Sequence, residues 1–332
     1  MNIDYKAEIK RLKEKLDVTV VGHFYQRDDV FEMADITGDS LELAHKCKDA
    51  KSEWIVFCGV GFMGQSVKIV APQKKVLMPK LSDCSMARMI DDSYFDESVE
   101  YMVSHGIAKE DILPITYINS DASIKAKVGA MGGMVCTSSN AFKIISKGLE
   151  SGKKILFVPD RCLGQNFANA MGLKSCVIGE GECDPKEADI ICFNGFCAVH
   201  QLFTLKDIEF YRKRYPDIKI IVHPECDPAI VDASDFSGST SQIIAYVNEL
   251  DDSQKVAVGT EYNLVNRMRP NGNTFVLSST KPECPTMNET TLKDLYETLK
   301  SIEDGNPINM IEVDEEVAHY ANLALQRMLE IK

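Results

Sequence analysis

Ile190-Ile191-Cys192-Phe193-Asn194-Gly195-Phe196-Cys197-Ala198-Val199-His200 is an apolar run that stops at a glycine and then delivers a cysteine and a histidine. A short continuous apolar segment closed by glycine reads as a strand buried on both faces, the kind found in parallel sheets. Such sheets place their ligands beyond the carboxyl ends of the strands, where Cys197 and His200 stand. Three apart at a possible helix start, the two side chains can face one space, and thiolate and imidazole both ligate metals. A lone C-x-x-H spacing is also what ordinary packing of a buried cysteine produces. The weight of the stretch comes from its echoes elsewhere in the chain.

Similar β-branched runs recur at Val18–Val21, Trp54–Phe57, Val76–Met78, Ile112–Ile115, Ile155–Val158, Ile218–Val222, Val256–Val258 and Phe275–Leu277, separated by helical stretches. Short apolar strands alternating with amphipathic helices predict an α/β class with parallel sheets covered on both faces. The residues after these strands repeat one plan three times. A strand end carries an i, i+2 polar pair that projects to one side: His23 and Tyr25, then Tyr117 and Asn119, then His223 and Glu225. A hydroxyl-bearing helix start follows, at Ser40, at Ser138, and at Ser239-Thr240; Ser40 serves either as a helix cap or as an anion-binding hydroxyl. Each unit closes on a cysteine: Cys84, Cys197 and Cys284. The interval from Cys84 to Cys197 is the longer of the two, so the middle unit carries an insertion, placed near Gly179 to Lys186. The units are set at 1–90, 91–203 and 204–332, the last with an amphipathic helix from Val313 to Leu329 expected to pack on it.

Composition narrows the function. With 332 residues, 45% hydrophobic and 26% charged, the chain is long enough for two or three cores. A net charge of −13 and the lack of a long Lys/Arg run argue against a nucleic-acid surface. Met1 to Lys15 is charged and helix-like, and no apolar run reaches the length of a membrane span, so a cytoplasmic protein is expected. In a reducing compartment its eleven cysteines are expected to stay out of disulfides. None of them forms a C-x-x-C pair, so any metal site is assembled from distant positions.

Three thiolates from three similar units fit an iron–sulfur cube held through three irons, the fourth iron acting as a Lewis acid. His23, Tyr25, His200, His223 and Glu225 would supply proton transfer around it, and Ser40, Tyr117, Asn119, Ser138, Ser239 and Thr240 neutral donors. Ordinary strand-end cysteines remain the alternative.

At these blocks the chain resembles the quinolinate synthase family: His23-Phe24-Tyr25-Gln26, Gly38-Asp39-Ser40-Leu41, Tyr117-Ile118-Asn119-Ser120, Cys136-Thr137-Ser138-Ser139-Asn140, Cys197-Ala198-Val199-His200, His223-Pro224-Glu225-Cys226, Gly238-Ser239-Thr240, Gly259-Thr260-Glu261 and Cys284-Pro285-Thr286-Met287. The resemblance implies three α/β/α domains around a pseudo-threefold axis. It implies condensation of iminoaspartate with dihydroxyacetone phosphate to quinolinate, with loss of phosphate and water, in de novo NAD biosynthesis. It also implies a 4Fe–4S cluster on Cys84, Cys197 and Cys284, with Tyr25 and Glu225 as principal acid/base residues. His23, His200 and His223 would line the cavity, and Ser40, Tyr117, Asn119, Ser138, Ser239 and Thr240 would hold carboxylates and phosphate. An iminoaspartate-supplying enzyme is a possible partner.

The chain departs from the family pattern at Gly61, Gln65 and Cys162, which leaves open a paralogous iron–sulfur lyase or synthase acting on a related substrate. An iron–sulfur redox sensor would need the cysteines but not the polar pairs. A zinc hydrolase using Cys197, His200 and His223 has no compact ligand motif behind it.

Overall fold

Nine of the thirteen strands among the described residues fall on the apolar runs named above. The computed structural model describes residues 3–251, 253–268 and 272–331. The strands are β1 (Val18–His23), β2 (Ile36–Gly38), β3 (Trp54–Cys58), β4 (Lys75–Leu77), β5 (Ile112–Tyr117), β6 (Met134–Cys136), β7 (Lys154–Val158), β8 (Ser175–Val177), β9 (Ile190–Cys192), β10 (Lys219–Val222), β11 (Phe236–Ser237), β12 (Val256–Gly259) and β13 (Thr274–Val276). They form three sheets ordered β2-β1-β3-β4, β6-β5-β7-β9-β8 and β11-β10-β12-β13. Every pairing within them is parallel.

In each sheet the chain leaves its first strand for a short edge strand and then crosses back to the other side. This makes a switch point beside β1, β5 and β10, where ligands of open α/β sheets bind. The register carries the polar pairs to that point. His23 lies beside Gly38, Tyr117 beside Cys136, and Val222 beside both Ser237 and Gly259. The side chains just past these positions are therefore neighbours before any helix is packed.

The four remaining strands are short edges. Three of them, β2, β6 and β11, lead directly into the hydroxyl-bearing helix starts, and at two or three residues they are too short to show an apolar period. The fourth, β8, together with the turn after it, is the insertion expected near Gly179 to Lys186. Here Cys176 and Cys183 are joined in a disulfide, against the expectation that no cysteine would be paired. A tight turn at Ile178-Gly179, closed by an antiparallel bridge between Val177 and Glu180, folds the chain back and brings the two side chains together.

The helix covering the N-terminal end of the chain runs Tyr5–Leu16; Met1 and Asn2 of the stretch expected to be helical lie outside the described residues. Its Ile9 and Leu12 pack with Val18, Val20, Leu77, Leu295 and Leu299. Leu295 and Leu299 belong to helix Leu292–Glu303, which follows the third sheet in sequence yet closes the first. Each is fully buried, worth about 1.5–3 kcal/mol relative to exposure. The chain then adds an antiparallel bridge to β4, with Ile311 N donating to Val76 O at 2.8 Å.

The final helix, Glu315–Glu330, corrects the sequence expectation. It packs on helix Ala122–Ala130 and β6 of the second unit, not on the last unit. Ala321, Ala324, Leu325 and Met328 are buried against that core. Gly129 permits the close approach, since a Cβ there would lie 1.9 Å from Tyr320 O. Arg327 locks the crossing by donating to Gly129 O and Gly133 O at 3.1 and 2.8 Å. An amphipathic face demands burial but does not specify its partner, and no residue pattern marks which unit offers a glycine groove.

Candidate active site

The three polar pairs, the three helix starts and the three cysteines open on one cavity. Its walls include His23, Tyr25, Ser40, Cys84, Tyr117, Asn119, Ser138, Cys197, His200, His223, Glu225, Thr240 and Cys284. Ser239 is the one expected site residue that lies outside the lining. Its hydroxyl accepts from Gln242 N and Gln242 answers to Ser239 N, a capping box that commits the side chain to helix Thr240–Glu249.

Each cysteine sits in the same local frame. Cys84, Cys197 and Cys284 stand three residues ahead of 3-10 turns at Ala87–Met89, His200–Leu202 and Met287–Glu289. Capped helices follow each turn, with Asp91, Thr204 and Thr291 as N-caps. The turns aim backbone N–H groups at sulfur, from Ala87 and Met86 to Cys84, from His200 to Cys197, and from Met287 and Thr286 to Cys284. Burial pushes the Cys84 thiol up to about 12 and the other two up as well, and Cys197 is raised further by the neighbouring Glu225, Cys84 and Cys284. Three converging thiols with N–H donors behind them are the donor set and surroundings of an iron–sulfur cluster, so the residues fit that group. A different trio, Cys197, His200 and Glu225, has ligand atoms within 4.8 Å of one another; the zinc alternative named His223 in place of Glu225.

The acid/base side chains form two matched halves. Tyr25 N donates to His23 Nδ1 at 3.1 Å, and Glu225 N donates to His223 Nδ1 at 3.3 Å. An accepting Nδ1 leaves the proton on Nε2, so both neutral rings carry an N–H donor. Burial lowers His23 to about 4 and His223 to about 3, which keeps them neutral at physiological pH. His200 stacks on His223 at 4.7 Å between ring centres. Its Nδ1 is 2.8 Å from Glu225 Oε2, an ion-pair separation that lies off a well-aligned hydrogen-bond line. Burial alone would raise Glu225, but His200, His223 and the Tyr117 phenol outweigh it and hold the carboxyl below its ordinary range. Burial, reinforced by Glu225, pushes the Tyr25 and Tyr117 phenols well up.

The remaining lining suits anions. Helices Ser40–Asp49, Ala141–Leu149 and Thr240–Glu249 all start at the cavity wall, and helix N-termini attract carboxylate and phosphate. The Asn119 carbonyl oxygen is buried without a hydrogen-bond partner among the described residues, a polar handle open to a ligand.

Two important residues escaped the sequence analysis. The cap of helix Ser40–Asp49 is Asp39, not Ser40; its Oδ1 accepts from Leu41 N and Glu42 N. Its Oδ2 accepts from Ser139 at 3.1 Å and Ser241 at 2.6 Å, so one carboxylate joins all three units at the cavity. The D-x-x-E spacing of Asp39 and Glu42 was a capping-box signal in plain view. The second is Glu261, which accepts from Asn263 N, Leu264 N and Cys284 N and so shapes the loop bearing the third cysteine. The three positions that depart from the family pattern lie outside the lining. Gly61 packs on Asp83, Gln65 bridges to Asp121 and Ala122, and Cys162 is buried beside Gln201.

A protein of three parallel-sheet α/β units, each giving a cysteine, a helix start and acid/base side chains to one buried cavity, is built as an enzyme. The sequence profile of the quinolinate synthetase A protein family matches residues 7–330. A quinolinate synthase of Helicobacter pylori strain HPAG1 is 55% identical over 332 residues, covering 99% of this chain and 98% of the relative. One of Streptomyces coelicolor is 40% identical over 352 residues, covering 99% and 88%. One of Bacillus anthracis is 39% identical over 344 residues, covering 98% and 93%. The chain belongs to the quinolinate synthetase A family.

Proposed function

We propose that the chain condenses iminoaspartate with dihydroxyacetone phosphate to form quinolinate, releasing phosphate and water, as a step of NAD biosynthesis. The observation that carries this reading is the convergence of Cys84, Cys197 and Cys284, in one repeated local frame, on a cavity already lined by acid/base groups and helix N-termini. The three thiolates would hold a 4Fe–4S cluster, which when bound supplies a Lewis-acidic iron for the dehydration.

The chain's own residues account for the rest of the chemistry. The helix starts at Ser40 and Thr240, and Ser138 in the turn ahead of helix Ala141–Leu149, seat the carboxylates and the phosphate, with Tyr117 and Asn119 as neutral donors. His23 and His223, each with Nε2–H available, hold anionic oxygens without adding a permanent charge. Tyr25 moves a proton at Oη, and Glu225 with His200 takes up and returns protons during imine formation and ring closure. Burial of these groups excludes water from a reactive imine. Ser239 supports the third seat through its cap.

No helix among the described residues is long and apolar enough to cross a membrane. A cytoplasmic setting, small-molecule substrates and an iminoaspartate-supplying partner enzyme belong to the same reading. The placement of Gly61, Gln65 and Cys162 outside the lining favours quinolinate over a related product. The test is anaerobic incubation of the purified protein with both substrates and chromatographic detection of quinolinate. Product in the wild type and none in Tyr25→Phe supports the reading; no product from a protein carrying its full iron complement contradicts it.

A further inference from the structure

Lys125, on helix Ala122–Ala130, is fully buried and makes no ion pair among the described residues. Its Nζ donates to Ser120 O and faces the Phe62 ring, 5.4 Å from the ring centre. Phe62 lines the cavity, so the ammonium stands one ring behind the wall. The neighbouring Asp121 carboxylate is engaged elsewhere: Oδ2 accepts from Gln65 Nε2 at 2.9 Å and Oδ1 from Ser123 N at 3.1 Å. Burial pulls the Lys125 ammonium down to about 7, while Asp121 and Cys84 push it back up. A buried cation without a partner is costly, and an apolar side chain would fill the same space at lower cost. The cavity, by contrast, is short of positive charge. Among the described residues no lysine or arginine lines it, whereas Asp39, Glu225 and Glu261 do, and His23 and His223 are held neutral. Arg267, the guanidinium nearest His23, is partly exposed, pairs with Asp28 at 2.7 Å and is committed to Phe24 O and Gln26 O. Three thiolates outweigh the positive charge of a 4Fe–4S core, so the loaded site is a buried anion.

We propose that the Lys125 ammonium is the counter-ion of the cluster held by Cys84, Cys197 and Cys284, making that cluster easier to reduce and slower to lose its iron, a role that rests on the cluster-bearing reading of the site. In a dry interior a charge acts over a distance that water would screen, so Lys125 needs no contact with the sulfurs. The thiolates in turn hold it protonated. Its position behind Phe62 separates two tasks. A cation in the cavity itself would pair with the carboxylates or the phosphate of a substrate. Behind an apolar ring it acts by field alone and leaves hydrogen bonding at the wall to neutral donors. The helix fixes the ammonium, and the Ser120 carbonyl it holds belongs to the turn that follows Tyr117 and Asn119.

The test compares wild type, Lys125→Gln, Lys125→Met, Lys125→Arg and Lys74→Met as anaerobic holoenzymes. Two quantities are read: the midpoint potential of the cluster in a dithionite titration followed by electron paramagnetic resonance, and the rate at which a chelator strips its iron. Glutamine keeps an N–H for Ser120 O and removes the charge, methionine removes both, and arginine keeps the charge. Lys74, the other buried lysine, serves Ala50 O and Ser52 O at the amino end of the first sheet, away from the cysteines. In K125Q and K125M the one-electron reduction constant is expected to fall about tenfold, a shift of about 59 mV to lower potential, and iron to leave about tenfold faster. K125R and K74M should stay within about twofold of wild type on both readings. A lysine that merely holds Ser120 would cost K125M its stability and leave every potential level. Where K125M does not fold, K125Q against K125R decides. A K125Q cluster with wild-type potential and iron release, or a K74M cluster shifted as far, overturns the proposal. If the wild type carries the cluster yet forms no quinolinate, the functional reading fails and the same potentials still decide the role of Lys125; a wild type without a cluster overturns both.

Discussion

Asp39 gives the sharpest energetic prediction, because one carboxylate performs two separable tasks. Oδ1 caps helix Ser40–Asp49, and Oδ2 holds Ser139 and Ser241 from the other two units. Losing an N-cap costs about 1 kcal/mol, and losing a hydrogen bond to a charged group costs about 1.5 kcal/mol. Asp39→Ala should therefore destabilise the protein by about 4 kcal/mol. Asp39→Asn keeps the capping oxygen but presents an amide that cannot accept from the serines, so its loss should be about 3 kcal/mol. Ser241→Ala removes one bond and should lose about 1.5 kcal/mol. An unfolding entropy of about 2.1 cal/mol/K per residue converts each kcal/mol into roughly 1.4 °C for a chain of this length. Scanning calorimetry should then place Tm about 6 °C lower for Asp39→Ala, about 4 °C for Asp39→Asn and about 2 °C for Ser241→Ala. An Asp39→Asn protein as stable as wild type would refute the account of Asp39 as the tie between units.

Three further outcomes follow from the packing and electrostatics. Gly129→Ala sets a Cβ 1.9 Å from Tyr320 O, so it should lower Tm and expose the link before the last helix to proteolysis; helix propensity alone predicts stabilisation by about 1 kcal/mol. Arg267 donates to Phe24 O, Gln26 O and Asp28, and Asn263 donates to Tyr25 O at 3.1 Å, so the third unit clamps the loop that bears Tyr25. Lysine cannot span those acceptors, and Arg267→Lys should reduce kcat about 10- to 100-fold in the quinolinate assay with little change in KM. His23 and His223 stay neutral in the fold down to about 4 and about 3, whereas the unfolded chain protonates them near 6.5. The unfolded state then binds more protons across that window, so stability rises with pH from about 4 to about 6.5 and is lost as pH falls through it. Thermal melts over this range should show the slope, and His23→Gln should flatten it.

The central strands were legible because a segment buried on both faces must be apolar throughout, as in Ile155–Val158 and Ile190–Cys192. Of the edge strands, β4 and β13 were legible as apolar runs, whereas β11 was not, because Phe236–Ser237 makes only two register pairs and leaves no periodic trace. Cys84, Cys197 and Cys284 could be picked out of eleven cysteines because each closes a repeat. Cys176 and Cys183, lying in an insertion, had no counterpart to compare with, and their pairing was missed. Ser239 and Thr240 looked alike as hydroxyls at a helix start, yet the cap position turns one toward the helix and leaves the other in the cavity.

The central claim is that three cysteines from three units hold one iron–sulfur cluster, and iron and sulfide analysis of the anaerobically purified protein tests it most directly. The account predicts about four irons and four sulfides per chain in the wild type and in Cys162→Ala. Cys84→Ala, Cys197→Ala and Cys284→Ala should each lose most of both while remaining folded. Equal iron content in all five proteins, or none in the wild type, would contradict it.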